Sequence, residues 1–136
     1  MKSILIVEDS PSLDLFYQKL FEADEKWKVY TCYNFDAALE ILDKKDFDYI
    51  ISDGYVENSA MTGLDFLKIS KIKLPDSVRL YVSGTIMPKP EDYSCFNAFI
   101  NKKDLQGEEL LNLINCIDDE TLEDVPDHFF TNVFLS

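Results

Sequence analysis

Five polar residues stand at the ends of apolar segments, and their side chains suit one reaction. They are three carboxylates, one hydroxyl and one ammonium, namely Glu8, Asp9, Asp53, Ser83 and Lys102. Each has an ordinary interpretation when taken alone: an acid or a serine before a glycine is commonly a turn residue, and a lone lysine is commonly solvated. Glu8 and Asp9 could also cap a following helix. A shared site is predicted if the preceding segments are neighbouring strands of one sheet.

The chemistry that these five residues favour is phosphoryl transfer. Three carboxylates placed together repel one another and raise their own pKa values unless a cation lies among them. Mg²⁺ is the hard divalent cation that suits such an oxygen site, and a carboxylate beside it can act as a nucleophile toward phosphorus. Mg²⁺, Lys102 and the hydroxyl of Ser83 could then each engage one oxygen of the transferred group.

Apolar runs alternate with helical patterns along the chain, which predicts an α/β fold with a parallel sheet. Strands are predicted where short segments are apolar and rich in β-branched and aromatic residues, over 3–7, 27–33, 47–52, 78–82 and 97–101. In such folds ligands bind beyond the carboxyl ends of the strands. The five polar residues all fall at those ends.

Helical spacing predicts helices between these strands. The first helix is expected from Ser10 to about Ala23, the second after Asn34, the third after the loop of residues 54–62, and the last over 105–117. Ser10 and Asn34 are the predicted cap residues. Pro88 and Pro90 occur between residues 85 and 96, so any helix there is expected to be short and to start late.

The composition excludes several classes of function. The chain has 136 residues, with 13 basic and 26 acidic side chains and a formal net charge of −13. Nucleic-acid binding needs a basic face, and anionic membranes are disfavoured for the same reason. No apolar run approaches the roughly 18 residues of a membrane span, and no signal peptide is recognisable, so we expect a cytoplasmic protein. The three cysteines are an odd number without a CxxC pattern, which indicates reduced thiols.

Five stretches resemble the receiver domains of response regulators in two-component signalling, of the stand-alone, CheY-like kind. They are ILIVEDS (4–10), FDYIISDG (47–54), TGLDFL (62–67), RLYVSGT (79–85) and AFINKKDL (98–105). The similarity covers about residues 1–118. It implies a receiver domain over residues 1–120, with a doubly wound five-stranded parallel sheet of strand order 2-1-3-4-5 and helices on both faces.

The resemblance also implies roles for individual residues. Asp53 would be the phosphoacceptor, and Ser83 and Lys102 would assist the transfer. Ser83 would turn toward the phosphoryl group and vacate space that Phe99 fills, which makes these two residues the expected switch. Four groups would hold Mg²⁺, namely Glu8, Asp9, Asp53 and the backbone carbonyl of Tyr55. Of these, Glu8 would bind the ion through a water molecule.

The same resemblance implies partners. The phosphoryl donor would be a phosphohistidine on a sensor histidine kinase or a phosphotransfer protein, and the output would be a downstream target protein. Whether the output is a protein–protein contact or onward phosphotransfer stays open. We expect no enzymatic activity beyond self-phosphorylation and self-dephosphorylation at Asp53.

Four features depart from the usual family pattern. The loop of residues 54–62 is slightly long and lacks the usual Met-Pro, and Lys103 occupies a position where proline is common, so a trans peptide is expected before it. The stretch between Ser83 and Lys102 is shorter than is usual in the family, so the fourth helix, which lies in this stretch, is expected to be abbreviated or irregular. Tyr55 is a large residue beside the acceptor, and we expect its side chain to shield the acyl phosphate from water and slow its hydrolysis.

Residues 121–136 follow the last family helix and are too few to form an output domain. Several of them are large and apolar, which predicts docking on the domain itself or on a second copy as a homodimer; a solvated, disordered tail is the alternative. Two other functions stay open, an adaptor that acts without phosphorylation and a Mg²⁺-dependent aspartyl-phosphate phosphohydrolase. The second fits poorly, because such enzymes carry two aspartates two residues apart on the first strand.

Overall fold

The computed structural model describes residues 1–57 and 59–121 and the backbone of residues 130–131. The strands run over β1 (Lys2–Val7), β2 (Trp27–Cys32), β3 (Tyr49–Asp53), β4 (Val78–Ser83), β5 (Ala98–Asn101) and β6 (Phe130–Thr131). The α-helices run over α1 (Pro11–Glu22), α2 (Phe35–Leu42), α3 (Gly63–Lys73) and α4 (Gly107–Asp119). Two 3₁₀ helices, Pro90–Cys95 and Lys102–Asp104, flank β5.

The central sheet confirms the predicted topology and adds one strand. Strands β1 to β5 are parallel in the order 2-1-3-4-5, and β6 pairs antiparallel with β5. The five predicted parallel strands are therefore all present, and the antiparallel β6 is an addition to them. Without β6, β5 would be an edge strand with unpaired backbone groups, and the two-residue strand pairs Thr131 with Ala98 and Phe130 with Phe99.

Two apolar layers cover the two faces of the sheet, because successive strand residues point to opposite sides. Ile4 and Ile6 face α1 and α4, whereas Leu5 and Val7 face α2 and α3. All four side chains are fully buried. Burial on both faces explains why these strands are continuous apolar runs in the sequence rather than alternating ones.

The helix termini confirm some predicted caps and correct others. Asn34 caps α2, and its Oδ1 accepts a hydrogen bond from the Ala37 amide at 2.8 Å. Ser10 occupies the cap position of α1, but its side chain makes no capping hydrogen bond. The last helix begins at Gly107 rather than at Leu105, because residues 102–104 form a 3₁₀ turn first.

The segment after β4 is irregular, as its prolines predict. A 3₁₀ helix over Pro90–Cys95 replaces the expected fourth α-helix. Behind it Arg79 is buried, and its guanidinium donates to the carbonyl oxygens of Cys95 at 2.9 Å and Ser77 at 2.8 Å. These bonds tie the 3₁₀ segment to the start of β4, so the short segment is anchored without a full helix.

Two further expectations concern the described residues only. Cys32, Cys95 and Cys116 are all free thiols. The peptide between Lys102 and Lys103 is trans, since the described backbone contains no cis bond. Within the same part of the chain, no helix has the length and apolar character needed to cross a membrane.

Candidate functional site

The sheet register brings the predicted site residues to one edge. Glu8 directly follows β1, Asp53 and Ser83 are the last residues of β3 and β4, and Lys102 directly follows β5. The pairing aligns these ends, because Asp53 lies beside Val82 and Ser83 lies beside Asn101. Residues that are distant in sequence therefore meet at the carboxyl edge of the sheet.

The three carboxylates form one cluster. Glu8, Asp9 and Asp53 each offer one oxygen, and these oxygens all lie within 4.8 Å of one another. Glu8 is 2% exposed and Asp53 is 6% exposed, whereas Asp9 lies closer to solvent. Like charges this close and this buried are costly unless a cation accompanies them.

Lys102 supplies one of those cations. Its Nζ lies 3.1 Å from Asp53 Oδ1 and 3.4 Å from Glu8 Oε2. Burial alone would lower the pKa of Lys102, but the hydrogen bonds and charges of Asp53 and Glu8 outweigh burial and raise it. The ammonium therefore stays protonated and bridges two of the three carboxylates.

Glu8 has a pKa that is well above the ordinary value of a glutamate. Burial, and then the negative charge of Asp53, raise the pKa of Glu8 to about 7. The amide of Ser10, which donates to Glu8 Oε1 at 3.1 Å, and the charge of Lys102 oppose that rise without cancelling it. One ammonium thus does not balance the negative charge of the cluster.

The donor set fits a hard divalent cation. Carboxylate oxygens are the ligands that Mg²⁺ prefers, and the excess negative charge beside Lys102 is what such an ion would neutralise. Asp9 Oδ2 accepts a hydrogen bond from the Glu57 amide at 2.8 Å, and Asp53 Oδ1 accepts one from the Gly54 amide at 2.7 Å. These bonds hold two of the carboxylates in a fixed orientation toward the cluster.

Ser83 is fully buried beside the acceptor. Its Oγ accepts hydrogen bonds from the amides of Ile86 at 3.0 Å and Thr85 at 3.3 Å. A Cβ built on Gly54, the residue after Asp53, would lie only 2.4 Å from this oxygen. The hydroxyl is therefore adjacent to the acceptor loop. Any side chain larger than that of glycine at position 54 would clash with this hydroxyl.

The acceptor loop is closed by a second glycine. The Gly63 amide donates to the carbonyl of Gly54 at 2.9 Å, and a Cβ on Gly63 would lie 1.7 Å from the carbonyl oxygen of Asp53. Thr62 caps α3 and forms a capping box with Asp65. In the sequence Gly63 is noted only as part of the TGLDFL stretch, and its close approach to Asp53 is not predicted. The one sequence feature that points to this approach is its position directly before a helical pattern.

Tyr55 and Phe99 are the remaining predicted residues of the site. The side chain of Tyr55 is 55% exposed, and its backbone carbonyl as a metal ligand stays a prediction. Phe99 is half-buried on β5, with its ring centroid 5.6 Å from that of Tyr81. Tyr81 was missed by sequence analysis, although its position two residues before Ser83 puts both side chains on the same face of β4.

Parallel strands in this order, with acidic residues and a lysine at their carboxyl ends, define a receiver-type α/β protein. Residues 4–89 match the family described as response regulator receiver domain, and the chain belongs to that family. The matched range includes Glu8, Asp9, Asp53 and Ser83 but ends before Lys102. The place of Lys102 in the site therefore depends on the geometry above.

Solved structures share this fold. A CheY-like response regulator receiver domain protein from Methanospirillum hungatei JF-1 is 21% identical, with a TM-score of 0.75 over 91% of this chain and 98% of that one. The chemotaxis response regulator CheY4 of Vibrio cholerae is 25% identical, with a TM-score of 0.72 over 85% and 97%.

A third similar structure contains a partner. It is the histidine kinase ThkA in complex with the response regulator protein TrrA, matched at 19% identity and a TM-score of 0.72 over 85% of this chain and 97% of that one. At this identity the likeness shows the fold alone. The search of curated proteins found no match to this sequence.

Proposed function

We propose that this receiver domain is a phosphorylatable signalling switch that accepts a phosphoryl group on Asp53 from a phosphohistidine donor. The donor would be a sensor histidine kinase or a phosphotransfer protein, and the output a contact with a target protein or onward phosphotransfer. One observation carries the proposal: Asp53 is buried within 4.8 Å of two other carboxylates and 3.1 Å from Lys102. Receiver domains are signalling switches rather than classical enzymes.

The proposed transfer uses the residues of this edge in distinct roles. One carboxylate oxygen of Asp53 attacks phosphorus, the bond from phosphorus to the donor nitrogen breaks, and the electron pair stays with the departing histidine. Lys102 faces Asp53 and neutralises charge on the incoming group, and Ser83 donates a hydrogen bond to one of its oxygens. Glu8, Asp9, Asp53 and the Tyr55 carbonyl would hold Mg²⁺, which supplies further neutralisation of the phosphoryl oxygens when bound.

The signalling step is proposed to begin at Ser83. When Ser83 moves toward a phosphoryl group on Asp53 to donate its hydroxyl hydrogen, the amides of Thr85 and Ile86 that are bonded to its Oγ move with it, and so does the loop after β4. Phe99 lies on the neighbouring strand and would respond to that movement. A local charge event thereby biases a two-state element.

The division of the chain is also a proposal. Residues 1–120 would form the receiver domain, and residues 121–136 a segment that follows it. Strand β6 in that segment pairs with β5 of the same chain, which favours docking on the domain over docking on a second copy. The side chains of residues 122–136 lie outside the described residues.

The proposal is tested by the intact mass of the protein after incubation with acetyl phosphate, with and without Mg²⁺. We expect a gain of one phosphoryl group that needs Mg²⁺ and is abolished in Asp53→Asn. Asp46→Asn is the matched control, because Asp46 is an exposed acid at the opposite edge of the sheet, and it should still be phosphorylated. No gain in folded wild-type protein would refute the proposal and favour an adaptor that acts without phosphorylation.

A further inference from the structure

Tyr81 lies behind the site with its hydroxyl directed at the loop that follows β4. The side chain is fully buried, and its hydroxyl donates to the carbonyl oxygen of Ile86 at 2.7 Å. Burial raises the pKa of Tyr81 to about 12, so the phenol keeps the proton that it donates. This hydroxyl is a fixed donor at physiological pH.

The ring of Tyr81 packs against two other aromatic rings. Its centroid lies 5.9 Å from that of Phe96 in a stacked arrangement and 5.6 Å from that of Phe99. Contact with two rings restricts the direction of the phenol. The Tyr81 hydroxyl therefore has a fixed position, and it holds the Ile86 carbonyl to which it donates in a fixed position as well.

Ile86 is held by two side chains at once. Its amide donates to Ser83 Oγ at 3.0 Å while its carbonyl accepts from Tyr81. Both oxygens also approach the acceptor loop, because a Cβ on Gly54 would lie 2.4 Å from Ser83 Oγ and 2.6 Å from the Tyr81 hydroxyl. The two side chains and Ile86 therefore form one connected unit beside Asp53.

The hydrogen bonds of Ser83 indicate how this unit could orient its hydroxyl. A serine hydroxyl has one donor hydrogen and two acceptor lone pairs, and the amides of Thr85 and Ile86 occupy both acceptor positions. The hydroxyl hydrogen is then the part of Ser83 available to donate, and an oxygen of a phosphoryl group on Asp53 would be an acceptor for it. Moving Ile86 would release one lone pair and let the hydroxyl rotate.

We propose that Tyr81 is a positioning residue for phosphoryl transfer: by holding Ile86, it keeps the Ser83 hydroxyl oriented as a donor toward the phosphoryl group on Asp53. The inference rests on the proposed function and deepens it. It assigns to β4 a tyrosine hydroxyl that acts through Ser83 and does not itself touch the transferred group.

The test compares the rate of phosphorylation by acetyl phosphate in wild type, Tyr81→Phe, Ser83→Ala and the double variant. Tyr81→Phe loses the hydrogen bond to the Ile86 carbonyl. Because Ser83 is then less well oriented, the rate of phosphorylation of this variant should be roughly fivefold lower than that of wild type. In the Ser83→Ala background the second substitution should have no further effect, because the oriented group is gone. Tyr49→Phe is the matched control, since the buried Tyr49 hydroxyl bonds Asp118 at the opposite edge, and its rate should equal that of wild type.

A second measurement separates this inference from the proposed function. Hydrogen exchange of the Thr85 and Ile86 amides needs no phosphorylation, and it should accelerate in Tyr81→Phe but not in Tyr49→Phe. Wild-type protein that takes up no phosphoryl group would refute the proposed function alone, and the amide exchange would still decide whether Tyr81 positions this loop. Unchanged exchange, a wild-type rate in Tyr81→Phe, or effects that multiply with Ser83→Ala would each overturn the inference.

Discussion

Replacing Glu8 by glutamine should change how the stability of the metal-free protein depends on pH. The pKa of Glu8 is raised from 4.5 to about 7, mainly by burial and then by Asp53. Between those values the folded protein holds a proton on Glu8 that the unfolded chain has lost. Stability therefore falls as pH rises through this window and is fully present below pH 4.5.

The size of the effect follows from the shift. Each pKa unit corresponds to about 1.4 kcal/mol, so the free energy of unfolding of wild type should fall by roughly 3 kcal/mol across the window relative to Glu8→Gln. Glutamine is neutral throughout and keeps an oxygen for the Ser10 amide. The comparison of two pH profiles removes contributions from the other acids, which both proteins share.

The assay is urea unfolding at several pH values from 4.5 to 8 in the presence of a chelator. Glu40→Gln is the matched control, because Glu40 is exposed on α2, and its profile should run parallel to that of wild type. Added Mg²⁺ should bind the deprotonated cluster and restore wild-type stability most at the high end of the range. Parallel profiles for wild type and Glu8→Gln without metal would refute the reasoning.

Four other substitutions test separate parts of the structure. Gly63→Ala should destabilise the protein by about 3 kcal/mol or more in urea unfolding, because its Cβ would lie 1.7 Å from the Asp53 carbonyl oxygen. Lys102→Met should slow phosphorylation by acetyl phosphate about 100-fold, yet raise Mg²⁺ affinity in a titration because a competing cation is lost. Arg79→Met should cost about 3 kcal/mol of stability, with Mg²⁺ affinity unchanged. Tyr55→Asn should shorten the lifetime of the phosphorylated protein by opening the acyl phosphate to water.

Matched variants identify the cause for three of these four substitutions, at Gly63, Lys102 and Tyr55. Gly84→Ala should be tolerated, because its Cβ would meet Lys102 no closer than 3.4 Å. Lys103→Met removes an exposed lysine next to the site and should leave the phosphorylation rate near that of wild type. Tyr33→Asn removes another exposed tyrosine and should not change the phosphoryl lifetime. An equal response in a control and its test variant would contradict the explanation given for that residue.

Much of the fold could be predicted from the sequence because its signals are local. The five parallel strands follow from short apolar runs buried on both faces, and Asn34 caps α2 as its residue type predicts. Pro88 and Pro90 predict a short or irregular helix after β4, and a 3₁₀ helix over Pro90–Cys95 is found there. β6 could not be predicted, because a two-residue strand has no periodic pattern and depends on an unpaired edge supplied by β5.

The sequence by itself determined which chemical groups end the strands: Glu8, Asp9, Asp53, Ser83 and Lys102 were identified by residue type and by position after apolar runs. Only the tertiary structure decided their distances and surroundings. The raised pKa of Glu8 depends on burial by the whole domain, and Lys102 pairs with Glu8, 94 positions earlier in the chain, and with Asp53, 49 positions earlier. The hydrogen bonds of Ser83 and Tyr81 to Ile86 likewise depend on how the loop after β4 folds back. Such contacts arise from strand order and packing, which are properties of the entire chain rather than of any segment.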